Sequence, residues 1–153
     1  MQLLLCSQLK KSIERKHNLE EKDADGYKQS LVKCKLNKKE YYLVLDTGAS
    51  TSVIDKKYKG EFENLKLTGY DSLQSVHNTD EIVSVFETTL LLEDWLYFCK
   101  VIFNESTLWD ELTEQYNLEI PVIGVLGYDF LQKYQCLIDL RRKQLITNIE
   151  END

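Results

Sequence analysis

Proline is nearly missing from this chain, with one in 153 residues, and glycine is scarce at six. That excludes collagen-like, Pro/Gly-rich and low-complexity classes. Histidine occurs twice, at His17 and His77, and neither stands at metal-ligand spacing from a cysteine or carboxylate. No metal or other cofactor is expected, and both histidines read as surface or flap residues. The four cysteines, Cys6, Cys34, Cys99 and Cys136, are widely separated with no CxxC pair. They read as reduced, mostly buried thiols. No apolar run approaches the roughly 18 residues that span a bilayer, and the opening Met1 to Cys6 lacks the basic start and the length of a secretory leader. The expected address is cytoplasmic, with no membrane partner. Positive charge is also in deficit: 19 basic against 26 acidic residues leave a net charge of −7 and an isoelectric point near 4.9. Such a surface repels a phosphate backbone, so nucleic acid is not an expected partner.

What is present is a globular composition, 42% hydrophobic and 29% charged, on a chain long enough for one domain with a real core. Residues 1–29 differ in texture from the rest and read as an N-terminal extension of uncertain structure. Within them Leu5, Leu9 and Ile13 fall at helical spacing, while Leu3 to Cys6 suits an edge strand equally well. Residues 30–153 read as a single domain. There, Leu31 to Leu36, a polar turn at Asn37 to Lys39, and Tyr41 to Leu45 form a hairpin pattern. Further strands are expected at Ser52 to Ile54, Leu65 to Tyr70, Glu81 to Leu92 and Trp95 to Phe103, the last two joined by Glu93-Asp94. Helices are expected from an N-cap at Thr107 through Tyr116, and over Tyr128 to Tyr134. The chain closes on Cys136 to Leu140, a basic turn, and Gln144 to Ile149. Trp95, Trp109 and Tyr97 read as core, and the runs Lys56 to Lys59 and Arg141 to Lys143 as solvated faces.

Two segments carry chemistry. Asp46-Thr47-Gly48-Ala49-Ser50 follows the apolar strand directly, so the strand delivers a carboxylate into a turn of small and hydroxyl residues. A bare D-x-G is an ordinary turn; the five residues between apolar strands are a more specific signal for acid–base work. About eighty residues on, Ile120-Pro121-Val122-Ile123-Gly124-Val125-Leu126-Gly127 reads as a buried strand running into a helix, with Gly127 allowing a close backbone approach. Ser50 and Ser52 lack the G-x-S-x-G setting of a nucleophile and read as turn and strand residues.

In this order and at this separation the two segments resemble the retropepsin-like, or retroviral-type, aspartic proteases, and among them the small single-domain bacterial members. Asp46-Thr47-Gly48 resembles the family's catalytic signature, and Val125-Leu126-Gly127 its apolar-apolar-Gly element. The resemblance spans roughly residues 30–149. It implies a mainly β, acid-protease fold, a closed barrel-like domain with one or two short helices. It implies Asp46 as the catalytic carboxylate, with Thr47, Gly48, Ala49, Ser50 and Gly127 supporting the active-site loop. It also implies a flap hairpin, whose candidate region holds Ser72, Gln74 and His77 and, unlike the family's usual tip, contains no glycine between Tyr70 and Asp80.

The expected activity is aspartic endopeptidase hydrolysis, in which one ionised carboxylate activates water while a protonated one hydrogen-bonds the scissile carbonyl. Only one Asp-Thr-Gly occurs, so a homodimer is expected to supply the second Asp46, with an extended peptide or unfolded protein lying across the two-fold axis. The closing strands, with Leu145, Ile146 and Ile149, are candidates for a shared interface sheet. The alternative is a catalytically silent dimeric peptide-binding domain of the same fold.

Overall fold

A computed structural model describes residues 12–24, 27–74 and 80–150. The described residues form ten strands: β1 Ser12–Ala24, β2 Tyr27–Leu36, β3 Lys39–Leu45, β4 Val53–Asp55, β5 Lys66–Gln74, β6 Asp80–Leu92, β7 Trp95–Asn104, β8 Val122–Leu126, β9 Leu137–Asp139 and β10 Gln144–Glu150. A 3-10 turn over Lys56–Glu61 follows β4, and two short helices, α1 Leu108–Gln115 and α2 Tyr128–Lys133, flank β8. The expected hairpins form for a local reason: Asn37-Lys38 and Glu93-Asp94 adopt positive φ at both positions, the handedness that matches strand twist in a two-residue turn.

The strand order is β5-β6-β7-β4-β8-β3-β2-β1-β10-β9, and β6 also pairs with β2 at Lys35↔Leu91. That pair turns β2, β3, β8, β4, β7 and β6 into a barrel-like ring, closed there through a single residue pair. The fold is mainly β, as expected. Side chains of β3 alternate between two cores. Tyr41 and Leu43 enter the main cluster with Ile123, Leu126 and Phe130. Tyr42 and Val44 pack with Val122, Val125 and Leu112 beneath α1. Because both faces are covered, Tyr41 to Val44 are all buried, and the segment reads as a continuous apolar run. Burying an apolar side chain of this kind contributes roughly 1.5–3 kcal/mol each.

Several sequence readings need revision. Ser12–Ala24, with no assigned structure in the sequence, is a thirteen-residue strand. Its first half pairs with β10 and its second half with β2. The helix alternative for residues 5–13 lies outside the described residues except for Ser12 and Ile13, which are strand. His17 is wholly buried rather than on the surface, because it faces inward where β1 passes from β10 to β2. Trp95 is 48% exposed rather than core; its indole lies under the Arg15 guanidinium, 3.9 Å from the ring centroid. β10 is flanked on both sides over Gln144–Ile146, by β1 and β9, and Leu145 is buried in the main core. Among the described residues the end strand on this side of the sheet is therefore β9, as β5 is on the other. Cys34, Cys99 and Cys136 are free thiols, the first two buried.

Candidate active site

The two sequence segments meet at the end of the parallel pair β3–β8. Asp46, the residue after β3, donates its backbone N–H to Leu126 O (3.1 Å), and Tyr128 N–H donates to Ala49 O (2.6 Å). The loop is thus tied on both flanks to the β8–α2 junction. It is also closed on itself: Ala49 N–H donates to Asp46 O (3.2 Å), and Gly48 N–H donates to Asp46 Oδ1 (2.8 Å). A Cβ at Gly48 would lie 3.1 Å from that same Oδ1, so glycine is the residue that lets the amide approach the carboxylate unobstructed. Asp46 is exposed. A carboxylate fixed through one oxygen, with the other accepting no hydrogen bond among the described residues, is placed to take a proton from a water or share one with a second acid.

Gly127 is needed for a steric reason. A Cβ there would sit 2.6 Å from Ala49 O and 2.8 Å from Thr51 O, well inside van der Waals contact. Gly124 has the same constraint against β4, where a Cβ would meet Val53 O at 2.1 Å. Thr47 is exposed and lines a cavity of about 560 Å³ with Tyr128, Leu131, Gln132, Cys136 and Ile138. Ser50 is exposed and Ala49 half-buried.

Beneath the loop lies a pair the sequence reading missed. Ser52 is wholly buried. It donates through its backbone N–H to Asp129 Oδ2 (3.1 Å) and through its hydroxyl to Asp129 Oδ1 (2.8 Å). The hydroxyl also accepts from Gly127 N–H (3.0 Å), and Asp129 Oδ1 accepts from Phe130 N–H (2.8 Å). This network locks the first turn of α2 to the strand that leaves the Asp46 loop. The available signal was an acidic residue in the first turn of a helix, a position that favours negative charge; its buried hydroxyl partner, 77 positions away, has no local signature.

The candidate flap residues belong to another hairpin. Ser72 lies in β5 opposite Ile82, with its N–H on Asp71 Oδ1 (2.8 Å), and Gln74 pairs with Asp80. His77 falls outside the described residues. The structure brings Asp46, Thr47, Gly48, Ala49 and Gly127 together; no described hydrogen bond joins the Ser72 hairpin to them. Among the described residues no group of three or more histidine, cysteine or carboxylate side chains is arranged to hold a metal, and no helix is long and apolar enough to cross a membrane.

No family model matches the chain. In sequence it is 32% identical over 101 residues to the Retrovirus-related Pol polyprotein from transposon 412 of Drosophila melanogaster, a match covering 66% of this chain and 7% of that protein. The chain thus spans a small fraction of the relative it matches. In structure it resembles a retropepsin-like aspartic protease from Rickettsia conorii, with a TM-score of 0.52, 18% identity, and coverage of 92% of this chain and 95% of the other. It also resembles the retroviral protease-like domain of Ddi1 from Leishmania major, with a TM-score of 0.50, 18% identity, and coverage of 80% and 95%. The chain has the retropepsin-like fold.

Proposed function

We propose that the chain is an aspartic endopeptidase that works as a homodimer, one Asp46 from each copy forming a dyad across the two-fold axis. The observation that carries this reading is the held carboxylate: Asp46 stands exposed on a loop fastened to the β8–α2 junction, with Gly48 N–H on one oxygen. In the dyad one Asp46 is ionised and deprotonates the attacking water; the other is protonated and hydrogen-bonds the scissile carbonyl. The aspartic-protease pair is a standard illustration of this division of labour. Two such carboxylates at hydrogen-bond distance cannot both ionise cheaply, so activity is bell-shaped in pH with its maximum on the acidic side of neutrality.

A second copy is supported by stoichiometry, since one Asp-Thr-Gly serves a two-carboxylate reaction. It is also supported by surface character. The cavity beside Thr47 contains Leu131 and Ile138, Tyr128 at its edge is 50% exposed, and Leu137 and Leu140 on either side of Ile138 are 57% and 62% exposed. Apolar surface gathered next to a half-site suits a self-complementary contact. The occupant of the site in turnover is an extended peptide or unfolded protein. Free thiols at Cys34, Cys99 and Cys136 suit a reducing, cytoplasmic setting.

The test is subunit mixing on an unfolded protein substrate. Asp46→Asn alone is expected to be inactive with its fold and dimer intact. After exchange with an excess of Asp46→Asn, most wild-type chains sit in heterodimers, so activity per wild-type chain collapses. Undiminished activity after verified exchange sinks the shared site. Peptide binding without cleavage at any pH would favour the silent binding domain instead.

A further inference from the structure

Away from the Asp46 loop, the wholly buried His17 of β1 sits where three elements converge. On its Nε2 side are the Tyr97 hydroxyl of β7 (2.6 Å) and, one bond further, the Thr147 hydroxyl of β10 (2.7 Å). On its Nδ1 side is the two-residue turn between β6 and β7, where Glu93 Oε2 stands 3.8 Å away. That gap is too long for a hydrogen bond, and Nδ1 has no other partner among the described residues. A buried polar atom left unpaired is costly and calls for an explanation.

The Glu93 carboxylate is placed to supply a partner. Its Oε1 accepts from Asn18 N–H (2.7 Å), so the group is already anchored to β1 beside the imidazole. Its Oε2 accepts no hydrogen bond among the described residues. The Glu93 side chain is 36% exposed and that of His17 not at all, so the carboxylate is the member of the pair that is free to move. A shift of about 1 Å brings Oε2 to the 2.7–2.9 Å, roughly, of a charge-assisted hydrogen bond.

The surrounding groups leave Glu93 as the anion that answers to this ring. Burial holds the imidazole neutral, Glu93 favours its charged form, and Arg15, on the same strand, opposes it. The Arg15 guanidinium is itself held over the Trp95 ring, 3.9 Å from the centroid. The Tyr97 phenol and, behind it, Tyr134 and Cys136 are kept neutral because burial raises all three. From β10 come the Thr147 hydroxyl and Leu145, which is opposite His17 in the ladder. Asp94, the other turn residue, is engaged by Lys35 of β2 (3.3 Å). A neutral imidazole has one N–H to offer and an imidazolium two. Proton uptake therefore lets the ring donate on both sides at once.

We infer that His17 and Glu93 form an acid-operated latch between β1 and the β6–β7 turn. When the ring takes up a proton from solvent, Nδ1–H donates to Glu93 Oε2 and Nε2–H donates to the Tyr97 hydroxyl oxygen, whose own proton is directed to Thr147 Oγ1. When the ring gives the proton up, the Glu93 contact opens. The closed latch fastens the ring strands β6 and β7 to β1, the strand that carries β10 and through it β9. It tightens in acid, where an exposed pair such as Lys35–Asp94 only weakens. The inference is independent of the peptidase reading, because no residue of the Asp46 loop or of the Ser52–Asp129 network takes part.

Imidazole NMR of the full chain tests it, with His17→Gln assigning the signals against those of His77. In the wild type, His17 is expected to take up its proton while the chain is still folded, with the Glu93 carboxyl signal moving at the same pH. Across that step the exchange protection of the Asn18 amide, corrected for intrinsic pH dependence, should rise about threefold or more, the scale of one tightened contact. Glu93→Gln keeps an oxygen for Asn18 N–H and removes the charge; it should move the His17 midpoint further down and abolish the gain in protection. Glu93→Asp keeps the charge but is one methylene short. It should move the midpoint less than Glu93→Gln does and still lose the gain in protection, which separates a closing contact from attraction at fixed distance. A midpoint unmoved in Glu93→Gln overturns the latch, as does protection indifferent to the charge on His17, or a ring that stays neutral until the chain unfolds. If neither variant folds, wild-type crystals at neutral and mildly acidic pH decide: an Nδ1–Oε2 distance that shortens to about 2.8 Å in acid supports the latch, and an unchanged distance overturns it.

Discussion

Ser52 and His17 are both wholly buried polar residues of the sheet, and their polar atoms are treated differently. Ser52 has its backbone N–H, its carbonyl and its hydroxyl engaged: by Asp129, by Ile102 N–H (3.0 Å), and by Asp129 and Gly127 respectively. His17 bonds through Nε2 to the Tyr97 hydroxyl (2.6 Å), which bonds on to Thr147 (2.7 Å). Among the described residues its Nδ1 has no hydrogen-bond partner, and a carboxylate oxygen of Glu93 stands 3.8 Å away. The complete network fixes backbone at the candidate active site, where a displaced loop would displace Asp46. The incomplete one joins β1, β7 and β10 and contains a group that still titrates. A saturated buried network gives geometry; an unsaturated one leaves a response to pH.

The largest way to break the comparison is at the Ser52 end. Gly127→Val places side-chain atoms where Ala49 O and Thr51 O already lie 2.6 and 2.8 Å from a Cβ. Backbone rather than a flexible side chain must shift, so a loss of about 3 kcal/mol or more is expected, at the upper end of overpacking costs. Denaturant unfolding measures it. A melt identical to wild type would mean that the loop and the β8–α2 junction separate freely.

Ser52→Ala comes next. It leaves the buried Gly127 N–H without its acceptor and removes one donor from the half-buried Asp129 carboxylate. About 1–3 kcal/mol is the usual scale for such half-removed pairs. The informative variant is Ser52→Thr, which keeps the hydroxyl at the cost of one added methyl. Recovery of most of the loss by threonine assigns it to the hydrogen bonds, whereas equal loss in both assigns it to packing.

Legibility in the sequence follows the same division. The Asp46 loop, β3 and the Gly127 junction announce themselves because each is local: an apolar run, a turn of small residues, a glycine before a helix. The hairpin turns at Asn37-Lys38 and Glu93-Asp94 are local too. β1 was invisible because only His17 and Leu19 among its described side chains are buried, so its charged sequence gives no period. Its partners lie at opposite ends of the chain, β2 beside it and β10 more than a hundred residues away. Ser52 and Asp129 escaped for the same reason, since a buried hydroxyl and its carboxylate form one motif only after the chain folds. His17 reads as a surface or flap residue because nothing near it in sequence gives it a partner, whereas strand pairing buries it against the Tyr97 hydroxyl, 80 positions away.

The smallest effect expected is the one that reads the incomplete network. Burial is the main influence on His17 and lowers its pKa from the usual 6.5; Glu93 opposes that shift and Arg15 adds to it. The folded state therefore holds the imidazole neutral at pH values where the unfolded chain protonates it. The unfolded state then binds more protons, so stability rises with pH across that interval. The contribution is full above 6.5 and is lost as the pH falls from there toward the lower folded-state value. Because Glu93 Oε2 at 3.8 Å would face an imidazolium directly, the loss is partial. His17→Gln keeps a hydrogen-bonding side chain towards Tyr97 but cannot titrate. Paired denaturant melts at neutral and mildly acidic pH should show wild type losing more stability than His17→Gln over the same interval. The comparison stays above the range in which ordinary carboxylates protonate. Parallel curves would mean that His17 takes up its proton as readily folded as unfolded, and the contrast with Ser52 would reduce to a difference in hydrogen-bond count.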